Sequence, residues 1–572
     1  MRTITTDVVV IGGGAAGCYA TLCLRKKGLR VVMICKGLIG KSGASIFAGN
    51  LVLSGRLLGN TEEQARCTAE FLIKYHNQFL IDQKWAKRCA DWIQDYYYPE
   101  LEEIGLYFRR NDEGEVVTNP GKIRGVAANV QGNSGVPFMD LRRKQIIRTG
   151  IERYEETVVT ALLKRDDGSI GGVFALNYMT GERFVVQARA TILATGYSDR
   201  LHRRSTGTRE LSADGIAMAW RAGASMVNLE MQWWHTNDVA HPTTWQRVQI
   251  YPNPILGSYK SARMVNNVGE EFFDQQKDDP MAFGPYTLQL KALYRQVHAN
   301  KARYDGDYFS GFDHVDTKEI DAYTTYSKAY KQLGMSGSDH LLETAVTAHY
   351  RQGGLLVDNT TMKSTVPGLY VAGGVGGHSN GLIALATYDG KVVADSVAAD
   401  FDHLSLEPVS PSAAGLEEKR IMSLLRSDGS KGCGPGEIKR QIQECMWNHV
   451  GVEKSATSLN LALEYLHRIR QDAVPAMQLR QNGILANYEW LDAIDVINML
   501  DATELIILAS LQRQESRGPF MRLDYPDTDN KNWLAANIMH RTDSGIRFER
   551  IPYELPTFQP GFERKPNLEV GW

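Results

Sequence analysis

The chain has 572 residues, of which 43% are hydrophobic and 23% charged, and its formal net charge at pH 7 is −2. This length exceeds a single hydrophobic core, so several domains are expected. Lysine and arginine are dispersed, which gives no indication of nucleic-acid binding, and no apolar run is long enough to span a membrane. The N-terminus lacks the charged and apolar regions of a signal peptide, so a cytoplasmic protein is predicted.

The seven cysteines are scattered, and none belongs to a CxxC pair. This spacing predicts no iron–sulfur or zinc site within the chain, and reduced thiols are the simplest interpretation. If electrons pass through iron–sulfur clusters, another subunit must carry those clusters.

The N-terminal segment predicts a βαβ unit. Residues 7–11 form an apolar, β-branched run typical of a buried parallel strand, and residues 12–17 match the pattern GxGxxG. Residues 15–24 suit a helix, and residues 29–34 suit a second strand. Strand, glycine turn, helix and strand together indicate a dinucleotide-binding site.

Three glycines of this turn have distinct expected roles. Gly12 permits the tight turn, Gly14 lets the backbone approach a pyrophosphate, and Gly17 allows the helix to pack closely on the strand. The second strand ends without the acidic residue that usually accepts the ribose hydroxyls of NAD. The small and polar residues 37–49 that follow suit backbone lying against a flavin and its phosphates.

The next elements extend this domain. Residues 61–105 have the apolar spacing of amphipathic packing helices. Residues 157–190 contain two hairpin signals and predict a three-stranded meander that rejoins the sheet at residues 190–196. A helix is predicted over residues 214–221. In the segment of residues 228–235, one of two adjacent tryptophans belongs in the core because strand neighbours face opposite ways, and the other could face a flavin ring.

The remaining chain predicts three further regions. Residues 236–347 are more polar and irregular and suit a lid. Residues 368–374 form another strand that ends in glycines, and this second backbone-rich turn suits the ribityl chain and pyrimidine edge of a flavin. After a linker, leucine and isoleucine recur at helical intervals and predict a bundle. From Arg517 onward the chain has many prolines and aromatic residues and is predicted to be loop-rich.

These elements predict an α/β fold in which a Rossmann-like FAD-binding domain carries an inserted capping domain and is followed by a helical bundle and a loop-rich C-terminal segment. The predicted boundaries are residues 1–232 and 350–405 for the FAD-binding domain, 233–349 for the capping domain, 412–512 for the bundle and 513–572 for the last segment.

Three segments resemble a known family. Residues 515–533 are similar to the "ESRG…R.DYP..D…W" motif of the flavoprotein subunits of fumarate reductase, succinate dehydrogenase and L-aspartate oxidase. Residues 229–235 and 349–354 resemble the family's two segments that carry substrate-contacting histidines. The resemblance implies an FAD-dependent oxidoreductase that acts on a small anionic substrate and exchanges electrons with a ferredoxin-like iron–sulfur subunit.

Several residues differ from the family's motifs, and these differences change what the resemblance implies about FAD attachment and the substrate. Residues 42–44 are Ser-Gly-Ala where many members have a histidine that attaches FAD, so non-covalent FAD is expected. Gly374 stands where the family has a carboxylate that contacts the ribityl chain. The segment of residues 256–263 replaces the family's "TEG.RGEGG" region, and the proton-delivering arginine has no counterpart, which argues against fumarate or succinate as substrate. Residues 260–273 resemble the adenylylsulfate reductase alpha subunit branch instead.

On this basis we assign candidate site residues. The predicted catalytic and anion-binding residues are His235, His349, Arg351, His378, Arg263 and Lys260. The predicted cofactor-binding residues are Gly12, Gly14, Ala15, Ala16, Gly17, Lys36, Ser42, Gly43, Ala44, Ala48, Gly49, Asn50, Ala194, Thr195, Gly196, Asp214, Trp234, Gly373, Gly374, Asn380 and Leu382.

Alternatives remain open at this point. The chain could be an adenylylsulfate-reductase-like subunit, or a subunit whose flavin only relays electrons within a larger complex. It could also act alone as an oxidase. Loss of the proton-delivering arginine favours the relay, whereas retention of the histidines favours catalysis.

Overall fold

The fold is described from a computed structural model. The description covers residues 1–48, 61–107, 110, 112–114, 135–241, 263–273, 287–302, 307–311, 331–332, 334, 341–378, 381–427 and 432–561.

The largest sheet has seven strands and carries the predicted βαβ unit. The unit consists of β1 (Arg2–Ile11), α1 (Ala15–Lys26) and β2 (Val31–Ile34), and both strands are almost wholly apolar where they pair. The other strands are β3 (Glu152–Tyr154), β4 (Thr157–Lys164), β5 (Ile170–Asn177), β6 (Arg183–Leu193) and β14 (Leu369–Val371). The order is β3-β2-β1-β6-β5-β4, and β14 pairs with β6. Pairs β1–β2, β1–β6 and β14–β6 are parallel.

The predicted meander is present as β4, β5 and β6, which pair antiparallel to one another. Its third strand, β6, is also the strand that runs parallel to β1, so one continuous strand serves both the meander and the dinucleotide-binding sheet. Leu193 lies beside Ile11 at the end of this pair. The residues that follow the two strands therefore emerge at the same edge of the sheet.

Helices cover the faces of this sheet. They are α1, α2 (Thr61–Glu70), α3 (Gln83–Trp92), α4 (Tyr98–Glu103), α5 (Gly135–Arg148), α6 (Asp214–Arg221) and α8 (Ile383–Asp400). Helices α1 and α8 cross closely, because a Cβ atom on Gly390 would lie 2.6 Å from the Ala16 carbonyl oxygen. The predicted amphipathic region is broken into segments, with π-helical turns at Phe71–His76 and Ile93–Tyr97.

A second, five-stranded sheet lies where the capping domain is predicted. It contains β8 (Gln232–Val239), β9 (Arg263–Val265), β10 (Glu271–Phe273), β11 (Tyr308–Gly311) and β12 (Leu341–Arg351), in the order β10-β9-β11-β12-β8. Helix α7 (Thr287–His298) packs on it. Strands β8 and β12 run across both predicted domain boundaries, so the inserted region continues from the FAD-binding domain without an intervening linker at these two strands.

The C-terminal half supplies the predicted helices and contributes strands to two additional sheets. The helices are α9 (Pro411–Met422), α10 (Pro435–His449), α11 (Ala456–Arg468) and α12 (Tyr488–Gln512), and a short α13 (Asn530–Trp533) follows. The segment predicted to be loop-rich contains a hairpin of β17 (Ala535–Thr542) and β18 (Gly545–Pro552). This hairpin joins β7 (Met226–Val227) and β13 (Gly354–Leu355), and β15 (Glu453–Lys454) pairs with β16 (Met521–Arg522). Within the described ranges, no helix is both long and apolar enough to cross a membrane.

Candidate active site

The glycine-rich turn adopts the geometry that its sequence predicts. Gly12 has a φ of 118°, and a Cβ atom there would lie 2.1 Å from the carbonyl oxygen of Ala194. A Cβ atom on Gly17 would lie 2.0 Å from the carbonyl oxygen of Gly12. Backbone strain and lack of space therefore both exclude side chains from the turn. Ala194 itself donates its N–H to the Ile11 carbonyl (2.8 Å).

The start of α1 is open toward this turn. Its N-cap residue, Gly14, has no side chain to cap the helix, and the amides of Ala16 and Gly17 have no acceptor four residues earlier in the helix. Ala15 donates its N–H to the Ser45 hydroxyl (3.1 Å). Ser45 is therefore a candidate site residue beyond those predicted from the sequence, and it lies within the small polar stretch of residues 37–49.

The small polar stretch folds over the glycine turn. Gly43 has a φ of 77°, and Ala44–Phe47 is a short 3-10 helix. The Ser42 hydroxyl donates to the Leu38 carbonyl (2.8 Å), which fixes the approach to that helix. Ala48 accepts a hydrogen bond from the N–H of Gly135 (2.8 Å). The predicted residues Gly49 and Asn50 lie outside the described residues.

The second glycine turn meets the first across α1. Gly373 has a φ of 72° and donates its N–H to the Asp389 carboxylate (3.0 Å). A Cβ atom on Gly373 would lie 3.0 Å from the Cβ atom of Ala16. Leu382 is the N-cap residue of α8, whereas the predicted Asn380 is not among the described residues. The two backbone-rich turns are thus neighbours, as a single extended cofactor requires.

Lys36 and Asp214, both predicted to bind the cofactor, contact each other. The Lys36 ammonium donates to the Asp214 carboxylate (2.7 Å), to the Ser212 hydroxyl (2.6 Å) and to the Asp495 carboxylate (2.5 Å). Burial alone would lower the pKa of Lys36, but the Asp214 and Asp495 carboxylates raise it above its ordinary value. Asp495 lies on α12. Asn498 lies on the same helix, and its side-chain amide also donates to the Asp214 carboxylate (2.7 Å). These two predicted residues therefore join the cofactor-binding domain to the helical region.

His235 and His349 form the centre of the candidate substrate site. Strand β8 carries the first and β12 the second, and their ring centroids lie 3.8 Å apart with the planes at 46°. The Nδ1 atom of His349 hydrogen-bonds the Thr206 hydroxyl (2.7 Å). Burial lowers the pKa of His349 to about 4, so this ring is neutral near pH 7. The structure therefore brings together the two histidines that the sequence analysis paired.

A third histidine, His76, joins this pair from the region before α3. Its Nε2 atom lies 3.0 Å from the Tyr350 hydroxyl, and its ring centroid lies 5.2 Å from that of Trp233. Burial and the charge of His349 lower the pKa of His76 to about 3. Trp233 and Tyr350 stack with their planes at 14°. His76 was not predicted from the sequence, because the helical pattern around it indicated only packing.

Arg351 and Trp234 occupy the interior behind this cluster. The Arg351 guanidinium donates to the Leu229 carbonyl and to the Ser198 hydroxyl (3.2 Å). Burial lowers the pKa of Arg351 to about 10. Trp234 is buried and makes edge contacts with His202 and Trp447, with ring centroids 4.9 and 5.9 Å apart. The structure thus places Trp233, rather than Trp234, beside Tyr350 and His76.

Among the other predicted catalytic residues, His378 and Arg263 are carried by different elements from the histidine pair. His378 follows the second glycine turn, with its Nε2 atom 3.2 Å from the Asp389 carboxylate and its ring edge-on to Trp85. Arg263 is on β9, two strands away from β12, and forms an ion pair with Glu271 (3.5 Å). Lys260 lies outside the described residues.

Comparison with known proteins identifies the family. The FAD binding domain family matches residues 7–387, which is more than half of the chain. The chain belongs to this FAD-binding flavoprotein family. The fumarate reductase flavoprotein C-terminal family matches residues 439–565, so the C-terminal region of this flavoprotein is also assigned.

Individual relatives agree with that assignment. The flavoprotein is 26% identical over 545 residues to a fumarate reductase (CoM/CoB) chain of Methanothermobacter marburgensis, and the match covers 94% of this flavoprotein and 97% of the relative. Mycobacterium smegmatis Sdh1 is 24% identical with a TM-score of 0.84, covering 98% and 96% of the two chains. Adenylylsulfate reductase from Archaeoglobus fulgidus is 17% identical with a TM-score of 0.78, covering 97% and 96%. The two structural likenesses concern the fold alone.

These findings confirm the predicted family, the predicted α/β fold and the predicted cofactor. This flavoprotein is an FAD-dependent oxidoreductase of the fumarate reductase and succinate dehydrogenase type. Its own residues fit FAD, because the first-turn amides of Ala16 and Gly17 have no acceptor within the helix and the fixed helix dipole favours negative charge at this end. Gly12 and Gly373 have no side chains, so the two turns would leave room for an extended cofactor to approach the backbone.

Proposed function

We propose that this flavoprotein oxidises or reduces a small anionic substrate held by His235 and His349, and that it exchanges electrons with a ferredoxin-like iron–sulfur subunit. The observation that carries this proposal is the pair of imidazoles, with His235 buried and His349 half-buried and their ring centroids 3.8 Å apart, where the second sheet meets the FAD-binding domain. Two imidazole rings at this distance suit a shared anionic ligand, since a neutral imidazole carries one N–H donor.

The surroundings of His349 support a donor role for its other nitrogen. Thr206 engages Nδ1, which fixes the ring orientation and leaves Nε2 to face a ligand. The lowered pKa of His349 means that the ring donates as a neutral imidazole until an anion arrives. A bound carboxylate would then favour the charged form of the ring, so the pair is suited to a substrate that brings its own negative charge.

FAD supplies hydride exchange when bound. The residues of the chain bind the anion, hold it next to the two glycine turns and exclude water with the stacked Trp233 and Tyr350 rings. His76 and Tyr350 share a hydrogen bond of 3.0 Å beside the histidine pair and can hold a proton there. This arrangement suits the reduction or dehydrogenation of an acid at two adjacent carbons.

The partner and the mode of FAD attachment belong to the same proposal. No CxxC pair occurs in the sequence, so electrons that leave through iron–sulfur clusters need a second chain. Relatives named as subunits support such an assembly. Non-covalent FAD is proposed because residues 42–44 contain no histidine.

The test is a dye-linked assay of the purified holoprotein with fumarate, crotonate and adenylylsulfate, offered separately with reduced viologen. We expect turnover of at least one acid. His235→Ala and His349→Ala should each lower kcat/KM about 10²–10³-fold while FAD content stays at the wild-type level, because they remove anion contacts next to the reacting atoms. His467→Ala is the matched control, since His467 is half-exposed on α11.

Unchanged kcat/KM in both histidine variants would remove the anion-binding assignment. A wild-type holoprotein that turns over none of the three compounds, but is reduced by a co-purifying iron–sulfur chain, would favour the electron-relay alternative. Turnover of adenylylsulfate alone would favour the adenylylsulfate-reductase-like alternative.

A further inference from the structure

The Tyr197 ring occupies the space that a side chain at residue 374 would need, where the two cofactor-binding turns meet. Tyr197 directly follows the edge formed by residues 194–196, and Gly374 follows β14. A Cβ atom on Gly374 would lie 2.3 Å from Cε1 and 2.5 Å from Cζ of the Tyr197 ring. The φ angle of Gly374 is outside the left-handed region, so the backbone itself would accept a side chain. The Tyr197 ring occupies the position that a Cβ atom on Gly374 would take.

The position of the Tyr197 side chain suits a contact between its hydroxyl and a ligand. The residue is only half-buried, although its neighbours Ser198 and Asp199 are fully buried. Its ring lies against Tyr350, with centroids 5.7 Å apart, which holds it in position. Throughout the described part of the chain, no hydrogen-bond partner of the Tyr197 hydroxyl is found. A positioned phenol with an unused hydroxyl therefore lies between the two turns.

We propose that Tyr197 binds the FAD directly, with its ring filling the place of a side chain at residue 374 and its hydroxyl hydrogen-bonding the cofactor. The resemblance leads one to expect a carboxylate at residue 374 in contact with the ribityl chain. In this chain a neutral phenol makes the contact instead. A phenol can donate as well as accept, whereas a carboxylate only accepts, so the contact extends to acceptor atoms of the cofactor. This inference depends on the cofactor and not on the proposed substrate.

The experiment measures FAD binding to the full-length apoprotein by flavin fluorescence, together with the absorption spectrum of the bound flavin. Tyr197→Phe keeps the ring and removes the hydroxyl, so we expect Kd to rise roughly three- to tenfold, as for one lost hydrogen bond, with a shift of the flavin absorption bands. Tyr465→Phe, on the exposed surface of α11, is the matched control and should leave both unchanged.

A double-mutant cycle tests the shared space. Gly374→Ala should weaken FAD binding in the wild-type background, because the methyl group displaces the Tyr197 ring. The same change should have little effect when Tyr197 is already alanine, so the two effects should not add. Circular dichroism of each apoprotein separates a folding defect from a binding defect.

Two results would overturn the proposal. One is a Tyr197→Phe holoprotein with wild-type Kd and wild-type spectrum. The other is strict additivity of Gly374→Ala and Tyr197→Ala. Either result leaves the substrate proposal intact, because the histidine variants test that independently.

Discussion

Replacing Asp495 by asparagine should destabilise the flavoprotein. Asp495 is buried on α12 and accepts hydrogen bonds from two lysines, Lys36 (2.5 Å) and Lys439 (2.9 Å). Burial would raise the pKa of Asp495, but the two ammonium groups lower it below its ordinary value, so the group is a carboxylate at neutral pH. Asparagine at residue 495 removes the negative charge that Lys36 and Lys439 both contact.

The size of the effect follows from the burial of the lysines. The side chains of Lys36 and Lys439 are 12% and 17% exposed. In the variant Lys36 keeps Asp214 and Lys439 keeps Asp492, so the change removes a charged hydrogen-bond acceptor and leaves neither ammonium group unpaired. Hydrogen bonds to charged groups contribute about 1.5–3 kcal/mol. An unfolding entropy of about 2.1 cal/mol/K per residue gives about 1.2 kcal/mol/K for the whole chain, so the melting temperature should fall by about 1–3 °C.

The assay is thermal unfolding of the holoprotein followed by circular dichroism and by flavin release. Asp492→Asn is the matched control, because Asp492 also binds Lys439 (2.6 Å) but has a 37% exposed side chain. Its melting temperature should fall by less than about 1 °C, since exposed pairs contribute about 0–1 kcal/mol. Equal melting temperatures for the two variants would refute the claim that burial makes the Asp495 cluster important. Flavin release at a lower temperature than unfolding would show that the cluster also holds the cofactor edge.

Three further predictions concern the histidines, the glycine turn and the flavin. Folding lowers the pKa of His349 to about 4 and that of His76 to about 3, so the unfolded chain binds more protons than the folded chain below pH 6.5. The free energy of unfolding should therefore fall on acidification by about 1.4 kcal/mol per pH unit for each ring. Replacing both histidines by glutamine should make the urea midpoint less dependent on pH between about pH 6.5 and 4.5. Gly12→Ala should weaken FAD binding at least about thirtyfold, because of backbone strain and the clash with the Ala194 carbonyl. Gly28 is the matched control, since it also has a positive φ but has open space around it. Gly28→Ala should bind FAD normally in the same fluorescence titration. Acid precipitation should release all flavin into the supernatant, since residues 42–44 offer no attachment histidine; flavin that stays with the pellet would show a covalent link.

The local features of the fold were predictable from the sequence. The βαβ unit and the glycine turn depend on residues within about thirty positions of one another, and the spacing of Gly12 and Gly17 dictates the contacts that the structure shows. The meander was predictable because both of its turns carry glycine hairpin signals. The alternation of a strand also predicted that the two adjacent tryptophans face opposite ways. In the structure Trp233 packs against Tyr350 and Trp234 against His202.

Features that depend on distant pairing were predicted less completely. The approach of His235 to His349 depends on the register of β8 against β12, which no local pattern encodes. The resemblance to known flavoproteins suggested that pair, but nothing indicated His76, which reaches it from another part of the chain. The hairpin of β17 and β18 was missed because prolines and aromatic residues around it indicated loops.

The Lys36 and Asp495 pair links positions 459 residues apart, and this has a consequence for how the protein is made. A ribosome that adds about 5–20 residues per second takes about 20–90 s to travel from one to the other. During that interval the nascent N-terminal domain exposes Lys36 and Asp214 without the helix that later covers them. Chains that terminate before α12 lack both Asp495 and Asn498, so their N-terminal domain should be less stable than the same domain in the full-length flavoprotein.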